Sequence, residues 1–519
     1  MAVPKEIEIK LELPPTNLPR LKRIPLLQAQ KRRSKAATEV SVYFDTDKHK
    51  FHKNGVMLRV RRIGNRYVQT IKSTGSAGPF ARDEWESEIA SRTPDLLLAR
   101  GTALEPLLNR KSRRQLKPVF ETRVRRTTYP LSSHHSDIAL TLDKGKIANG
   151  RDSRPLCEIE LELKRGDEAE LFGVARELIR ALPAQLALKS KSERGYDMLA
   201  GRDAAPVKAI AIDLMPGATT RDGFKAIGLA CLKQMIGNEP ALLAGDPEGV
   251  HQMRVGLRRL RAAISLFADI LPDPQTAVLK DELKWLTGEL GPARELEVLV
   301  TRVVAPARRR HSRLAGVSSL SRDLTQQRAA ALARAQDAVR SPRLRALTLE
   351  IAAWLEAGRW SKPEDDLVRD RGDVAIEASA AEQLTRRFGM IRKKGKRLAD
   401  LDARSRHKLR IQAKKVRYAS EFFANLFPGK KASRRREKFL VALERVQDCL
   451  GDLNDIAVHE ERITAIANER RPSGRRRGSQ KRAFAAGLLT GREDARLDAV
   501  LESANDAHAA LVRIKPFWR

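Results

Sequence analysis

Cysteine is nearly absent from this chain. Only Cys157, Cys231 and Cys449 occur in 519 residues, far apart and in no C-x-x-C spacing. That excludes a disulfide framework and a thiolate zinc site, and it fits a reducing cytosol. Aromatic side chains make up 5% of the residues, too few for the stacking platforms that single-stranded nucleic-acid binders use. A bare phosphate chain needs none. No apolar run reaches the roughly eighteen residues of a membrane span, and the N-terminus alternates charged and apolar positions where a secretory signal would carry an apolar core. There is no P-loop and no recognised nucleic-acid motif, so nucleic acid is disfavoured as a partner. Acidic residues are outnumbered, 65 Asp and Glu against 100 Lys and Arg, for a formal charge of +35. The expected partner is a polyanion. At 42% hydrophobic the chain can still build cores, and its length predicts more than one.

Two textures follow one another. From Lys5 to about Tyr196 the apolar pattern has period two, as in Glu6-Ile-Glu-Ile-Lys-Leu-Glu-Leu13, Val56-Met-Leu-Arg-Val-Arg61, Ile138-Ala-Leu-Thr-Leu-Asp143 and Cys157-Glu-Ile-Glu-Leu-Glu-Leu163. These runs predict strands, with turns at Asn54-Gly55, Gly64-Asn65 and Lys144-Gly145, and a helix over 167–181. Residues 201–217 predict a linker. From about residue 218 to 519 the spacing is helical, broken at Pro272-Asp-Pro274, Gly291-Pro292, Ser341-Pro342, Pro428-Gly429 and Pro472-Ser-Gly474.

In a strand, alternate side chains share a face. Glu6, Glu8 and Lys10 therefore lie on one side of their strand, opposite Ile7, Ile9 and Leu11. Glu158, Glu160 and Glu162 repeat the pattern, and Arg59 with Arg61, Arg123 with Arg125, and Arg82 with Glu84 and Glu86 form further charged rows. Antiparallel sheets often wet one face, which is the bland reading of any single row. If helices cover the apolar alternates from outside, however, the rows turn inward into a closed barrel. Carboxylates there suit a hard cation, and arginines fork onto phosphate oxygens.

These residues resemble the CYTH domain of the triphosphate tunnel metalloenzymes across about 200 residues. The ordered set is E-x-E-x-K at Glu6, Glu8 and Lys10, then Tyr43-Phe-Asp-Thr46, Leu58-Arg-Val-Arg61, Lys72, Arg82-Asp-Glu-Trp-Glu86, Asp143, Cys157-Glu-Ile-Glu-Leu-Glu162 and Ser190-Lys-Ser-Glu-Arg-Gly195. The resemblance implies an α+β fold, an eight-stranded antiparallel β tunnel with flanking helices over residues 1–200. It implies hydrolysis of a triphosphate, inorganic triphosphate being favoured, with Mg2+ or Mn2+ as cofactor. Metal binding carries over to Glu6, Glu8, Asp143, Glu158, Glu160 and Glu162, and phosphate binding to Lys10, Arg59, Arg61, Lys72, Arg82, Arg123, Arg125, Lys191 and Arg194. Glu6, Glu8 and Lys10 are the catalytic candidates, and the group that orients the attacking water stays open. Nucleoside or thiamine triphosphate, a cyclase reaction, and a non-enzymatic phosphate-binding adaptor are the alternatives.

The helical half repeats itself. His251-Gln-Met-Arg-Val-Gly-Leu-Arg-Arg-Leu-Arg261 aligns without a gap with His407-Lys-Leu-Arg-Ile-Gln-Ala-Lys-Lys-Val-Arg417. Further on, Leu290-Gly291 with Arg294-Glu295 matches Leu450-Gly451 with Asn454-Asp455. A duplicated unit explains both coincidences. On a helix, His251, Arg254, Arg258 and Arg261 make one stripe, and His407, Arg410, Lys414 and Arg417 its twin. A basic stripe on one helix is usually a solvated face. Two rows so dense repel unless an anion relieves them, and one histidine per copy without carboxylate or cysteine beside it is a poor zinc site. This half resembles the CHAD domain, the conserved-histidine α-helical module, over residues 218–519 with repeats at about 218–370 and 371–519. The likeness implies two four-helix bundles related by a pseudo-twofold axis, whose stripes bind inorganic polyphosphate. One departure is visible: Arg294-Glu-Leu-Glu297 and Asn454-Asp-Ile-Ala457 stand where an Arg-Asp-x-Asp segment is expected. Arg308 to Arg310, Arg434 to Arg436 and Arg475 to Arg477 are further basic clusters. The predicted partners are inorganic triphosphate and polyphosphate, with no membrane and no protein partner, and the predicted location is the cytoplasm at polyphosphate granules.

Overall fold

The computed structural model describes residues 5–30, 34–73, 80–132, 135–150, 152–311, 314–468 and 476–519. Among them the period-two segments form nine antiparallel strands: β1 (Lys5–Glu12), β2 (Lys35–Asp45), β3 (Val56–Ile63), β4 (Arg66–Ser73), β5 (Ala81–Ile89), β6 (Lys117–Ser132), β7 (Asp137–Asn149), β8 (Asp152–Arg165) and β9 (Gln185–Ala187). Neighbours run β5-β4-β3-β2-β6-β7-β8-β1, and β1 also pairs with β5 at Lys5↔Asp83, Glu6↔Arg82 and Ile7↔Ala81. The two ends of the sheet therefore meet, as an eight-stranded tunnel requires. The ninth strand is an addition of three residues, which extends the same edge of β1 from Lys10↔Ala187 to Glu12↔Gln185. An eight-stranded barrel leaves an interior just wide enough for side chains or one small ligand, so the inward parity decides what it holds.

That parity is set from outside. Helix α1 (Glu168–Ala181), capped by Asp167 accepting from the Ala169 N–H, buries Leu171, Phe172, Ala175 and Leu178. It packs on β1 and β8, where Ile9, Leu11, Ile159 and Leu161 are fully covered. The acidic alternates of those strands have only the lumen left. Helix α2 (Lys191–Leu199) starts in a reciprocal cap between Ser190 and Glu193, and its Tyr196 and Met198 join Tyr43, Phe120, Val124, Ile147 and Leu156 in one buried cluster. Tyr43 and Val124 share the parity of lumen residues, so α2 closes one end of the tunnel. Lys144-Gly145, which the sequence predicts as a turn, lies inside β7. Its glycine is needed for close approach, because a Cβ there would sit 1.9 Å from the Arg123 carbonyl oxygen.

The remaining chain is helical: α3 (Thr220–Gly237), α4 (Pro247–Leu266), α5 (Pro274–Leu299), α6 (Ala315–Arg340), α7 (Pro342–Ala357), α8 (Ile376–Lys394), α9 (Ala403–Phe422), α10 (Lys430–Asn468), α11 (Arg476–Asp494) and α12 (Leu497–Arg513). The molecule divides into two compact units. One combines Met1–Lys208 with Leu232–Met253 and Val339–Ser361; the other holds Ala209–Cys231, Arg254–Ala338 and Lys362–Arg519. Within the first, α7 lies on α1, and Arg176 forks onto Glu350 at 2.6 and 2.9 Å. Within the second, α10 is the spine on which α9, α11 and α12 pack. At 1.5 Å per residue α10 is about 58 Å long, and two shorter helices in series return along it. The second copy consequently has five helices among the described residues, one more than the four-helix bundle expected. The break predicted at Gly291-Pro292 is also corrected: α5 runs through Pro292. Breaks at Pro274, Pro342 and Gly429 coincide with helix starts, whereas Pro472-Ser-Gly474 lies outside the described residues.

Candidate functional site

Two groups of carboxylates, each interleaved with cations, line the tunnel. In the first, Asp143 and Glu158 are completely buried, Glu160 lies beside them, and each offers an oxygen within 4.8 Å of the others. Strand pairing brings them together, since Asp143 on β7 is directly opposite Glu158 on β8. The Lys191 ammonium, delivered by α2, stands among all three, 2.8 Å from Asp143 and 2.9 Å from Glu160 and in contact with Glu158. Arg126 forks onto Asp143 at 2.8 and 2.6 Å and reaches Glu160 at 2.7 Å. Lys10 pairs with Glu8 and lies 4.0 Å from Glu160. Arg194 bridges Glu12 at 2.7 Å and Glu158 at 3.3 Å.

The second group is Glu39, Glu84 and Glu86. Arg61 contacts Glu86 at 2.8 Å and Glu39 at 3.5 Å, Arg59 lies 3.8 Å from both Glu84 and Glu86, and Lys72 is 3.0 Å from Glu84. Arg126, 3.6 Å from Glu39, links the groups.

Burial raises a carboxyl pKa and nearby cations lower it, and the two effects separate these residues. Burial pushes Glu160 up, but Lys191, Arg126 and Lys10 overcome it and hold the group well below the usual carboxylate range. Asp143 is likewise depressed against its burial by Lys191 and Arg126. At Glu158 burial wins and the pKa is raised. Three clustered carboxyls demanding a cation fit a hard divalent ion with oxygen ligands.

The structure redistributes the predicted residues. Glu8, Lys10, Arg59, Arg61, Lys72, Asp143, Glu158, Glu160, Lys191 and Arg194 come together in the tunnel. Glu162 pairs with Lys164 on the same strand, away from the three clustered carboxylates. The side chains of Glu6 and Arg82 lie outside the described residues. Arg123 and Arg125 are corrected: they point outward, Arg123 being 60% exposed and paired with Glu121. Arg126 takes their place. The segment Arg123-Val-Arg-Arg126 allows either parity, and only pairing of Arg126 with Asp143 across β6 and β7 selects one. Glu39 was missed because its same-face neighbours in the strand, Ala37 and Ser41, are uncharged, so no charged row marks it.

On the helices, Leu257, Leu260 and Ile264 are buried and the stripe residues face away from them. Arg258 lies close enough to Arg254, Arg410 and Lys414 to act electrostatically on all three. Burial, then Arg258, lowers Arg254 to about 10. Burial, then Arg410, Arg258 and Arg254, lowers Lys414 to about 7 against the pull of Asp455. Buried nitrogens of Arg254 and Arg410 have no hydrogen-bond partner. The Leu-Gly repeat acquires a structural meaning here. A Cβ on Gly291 would lie 3.1 Å from Arg254 Nη1, so that glycine makes room for the arginine of its own copy, while one on Gly451 would meet Arg410 at 3.8 Å, an ordinary contact. Glu295 and Asp455, four residues beyond these glycines, act electrostatically on Arg254 and Arg410 respectively. His407 Nδ1 is 2.6 Å from Asn454 Oδ1. Arg417 is occupied by Glu421 and Glu444, Arg261 bonds Thr287, and Arg308 to Arg310 are exposed. The side chains of Arg475 to Arg477 lie outside the described residues.

A sheet whose ends meet around an ion-pair-filled lumen, followed by helices with a doubled basic stripe, defines a two-module tunnel protein. Residues 4–196 match the family model of the CYTH domain and residues 226–464 that of the CHAD domain, so the chain carries one of each. The inorganic triphosphatase of Haemophilus influenzae is 30% identical over 199 residues, 37% of this chain and 54% of that protein. The chain thus spans about half the length of that curated relative. The crystal structure of the CHAD domain from the plant Ricinus communis is 31% identical, with 59% of this chain and 97% of that one covered and a TM-score of 0.50. No helix among the described residues is long and apolar enough to cross a membrane.

Proposed function

We propose that the tunnel hydrolyses inorganic triphosphate to pyrophosphate and phosphate. The observation that carries this reading is the buried trio Asp143, Glu158 and Glu160 facing the cations Arg59, Arg61, Lys72 and Arg126 across a lumen of one-ligand width. The inorganic triphosphatase relative supports it. Asp143, Glu158 and Glu160 would hold a divalent ion such as Mg2+ or Mn2+, which when bound neutralises charge on phosphate oxygens. Arg59, Arg61 and Arg126 trade carboxylate partners for phosphate oxygens and keep the chain in line. Lys191 and Lys10 balance charge on the reacting end, and α2 shuts one mouth against water. Positioning and electrostatics supply the acceleration. Tyr43, the aromatic of lumen parity beside Arg59, is fully buried and stacked on Phe120, so its ring is not open to a base, which favours the inorganic substrate over a nucleotide.

The helical stripes form the second site. Four cations in mutual range, with guanidinium nitrogens left unpartnered, outnumber Glu295 and Asp455, the carboxylates that act on them, and inorganic polyphosphate supplies further negative charge without needing aromatic contacts. A cytoplasmic place at polyphosphate granules belongs to the same reading. The test is phosphate release by the full chain with Mg2+ or Mn2+ from inorganic, nucleoside and thiamine triphosphates. Turnover of inorganic triphosphate that Glu158→Gln with Glu160→Gln abolishes is the expected result. Intact polyphosphate binding with no triphosphate hydrolysed would replace the enzyme by an adaptor.

A further inference from the structure

Inside the first compact unit a cavity of about 330 Å³ lies against the tunnel wall, at the small end of the range that ligand pockets occupy. Ile147, Pro155, Leu186, Ile236 and Leu243 give it apolar walls. The charges that line it are paired with one exception. Arg154 meets Asp203 at 2.7 Å, Lys189 meets Asp197 at 2.8 Å, Arg194 meets Glu12 at 2.7 Å, and Lys233 is held by Glu193 at 3.1 Å. The exception is Glu239, first residue of the short helix Glu239–Leu243. Asn238 fixes the turn that presents it, donating to the Val207 and Gln234 carbonyls at 2.8 and 2.7 Å and accepting from the Val207 N–H at 2.9 Å. Glu239 is only 7% exposed, and among the described residues no hydrogen bond or ion pair engages its carboxyl. Burial, then the neighbouring Glu12 carboxylate, pushes its pKa up to about 8, and no cation is among the charges that act on it. Burying a carboxyl without a partner costs free energy, and an occupant that brings a positive charge removes that cost.

We propose that this cavity binds a small primary amine with an apolar body, its ammonium against Glu239 and its hydrocarbon on Ile147, Leu186, Ile236 and Leu243. The inference is independent of the triphosphatase and polyphosphate readings. A divalent ion fits poorly, because it demands several oxygen ligands and these walls are mostly hydrocarbon. A neutral apolar guest would leave Glu239 without a partner, and an anion would add a further negative charge beside Glu239 and Glu12. An ammonium is compact, carries three donors and is attracted by both carboxylates. Glu12 is shared with Arg194, which also reaches Glu158 at 3.3 Å, so the occupant sits close behind the carboxylate trio without entering the tunnel.

The experiment titrates the full-length protein calorimetrically with n-butylamine, n-hexylamine and phenethylamine, and with n-hexanol as the uncharged control. At least one amine should bind saturably, and n-hexylamine should bind at least about tenfold more tightly than n-hexanol, since the bond to Glu239 is charge-assisted. Glu239→Gln keeps the shape of the side chain and has no ionised form to desolvate, so it should fold as stably as the wild type while binding the amine about tenfold or more weakly. Binding at pH 7 should release about one proton per amine, read from the heats in two buffers of different ionisation enthalpy, because a carboxyl that is mostly protonated in the free protein ionises beside the ammonium. No saturable binding by any of the three amines overturns the proposal. So does n-hexanol binding as tightly as n-hexylamine, equal amine affinity in the wild type and Glu239→Gln, or binding without proton release. Should Glu239→Gln fail to fold, the comparison with n-hexanol and the proton count on the wild type decide the matter.

Discussion

Arg125 and Arg126 are adjacent, yet the first is exposed and the second ties Asp143, Glu160 and Glu39 together. Removing a fixed donor from a charge-stabilising site typically costs about 10²–10³ in turnover. Steady-state kinetics of Arg126→Ala should show a loss of that order, with Arg125→Ala within about twofold of wild type. The lumen also sets acid stability. Asp143 and Glu160 have folded pKa values depressed below their ordinary 3.8 and 4.5. Their contribution is therefore fully present above those values and is lost as pH falls through the depressed ones. Thermal melts between pH 7 and pH 3 should show the melting temperature dropping below about pH 4. Glu158, raised by burial, has the opposite sign: its term favours the fold below 4.5 and weakens as pH rises through its own folded value. The two depressed groups outnumber it, so the net trend is loss in acid.

At the scale of elements, α2 matters most, because it carries Lys191 and Arg194 into the tunnel from one end. Its seat is tight. A Cβ on Gly195 would fall 2.2 Å from the Phe120 ring. The Tyr196 hydroxyl donates to Asp45 at 2.8 Å, and the same carboxylate accepts from the Phe51 and His52 N–H groups. Overpacking a filled site costs typically 1–3 kcal/mol. Gly195→Ala should destabilise the protein by about that amount in denaturant unfolding, and should lower triphosphate turnover as the helix backs out. Tyr196→Phe leaves the ring in place and the Asp45 carboxylate one donor short, for a loss of about 1–3 kcal/mol. A Gly195→Ala protein with unchanged stability and turnover would show that α2 does not seal and position as described.

For the molecule as a whole, a net charge of +35 favours association with polyanions. Polyphosphate that binds only the folded chain stabilises it by about 2.7 kcal/mol at a hundred times Kd. Differential scanning should show a higher melting temperature of the full-length protein with polyphosphate, and less of a rise as salt increases, since counterion release drives the association. Reversing Arg254 and Arg258 to glutamate, or Arg410 and Lys414, should weaken binding. Reversing all four should abolish it while triphosphate hydrolysis continues. Unchanged affinity in the fourfold variant would return the stripes to solvated faces.

Strand periodicity was decided by the sequence alone, because alternation of side chains is a property of extended backbone. It put Glu158 and Glu160 on one face and Ile159 and Leu161 on the other, and the structure covers the latter completely. The histidine and arginine repeat was equally legible, since spacing on a helix follows from its pitch. Two matters were not. Arg123-Val-Arg-Arg126 is compatible with either parity, and the choice of Arg126 came from its register opposite Asp143, which is a long-range pairing. Lys414 and Arg258 hold equivalent places in the repeat, yet only packing that gathers three arginines around a half-buried amine makes the lysine titrate near neutrality. Local spacing assigns each side chain to a face of its own element. Burial and electric field arise from what other elements bring to that face, and these the tertiary structure decides.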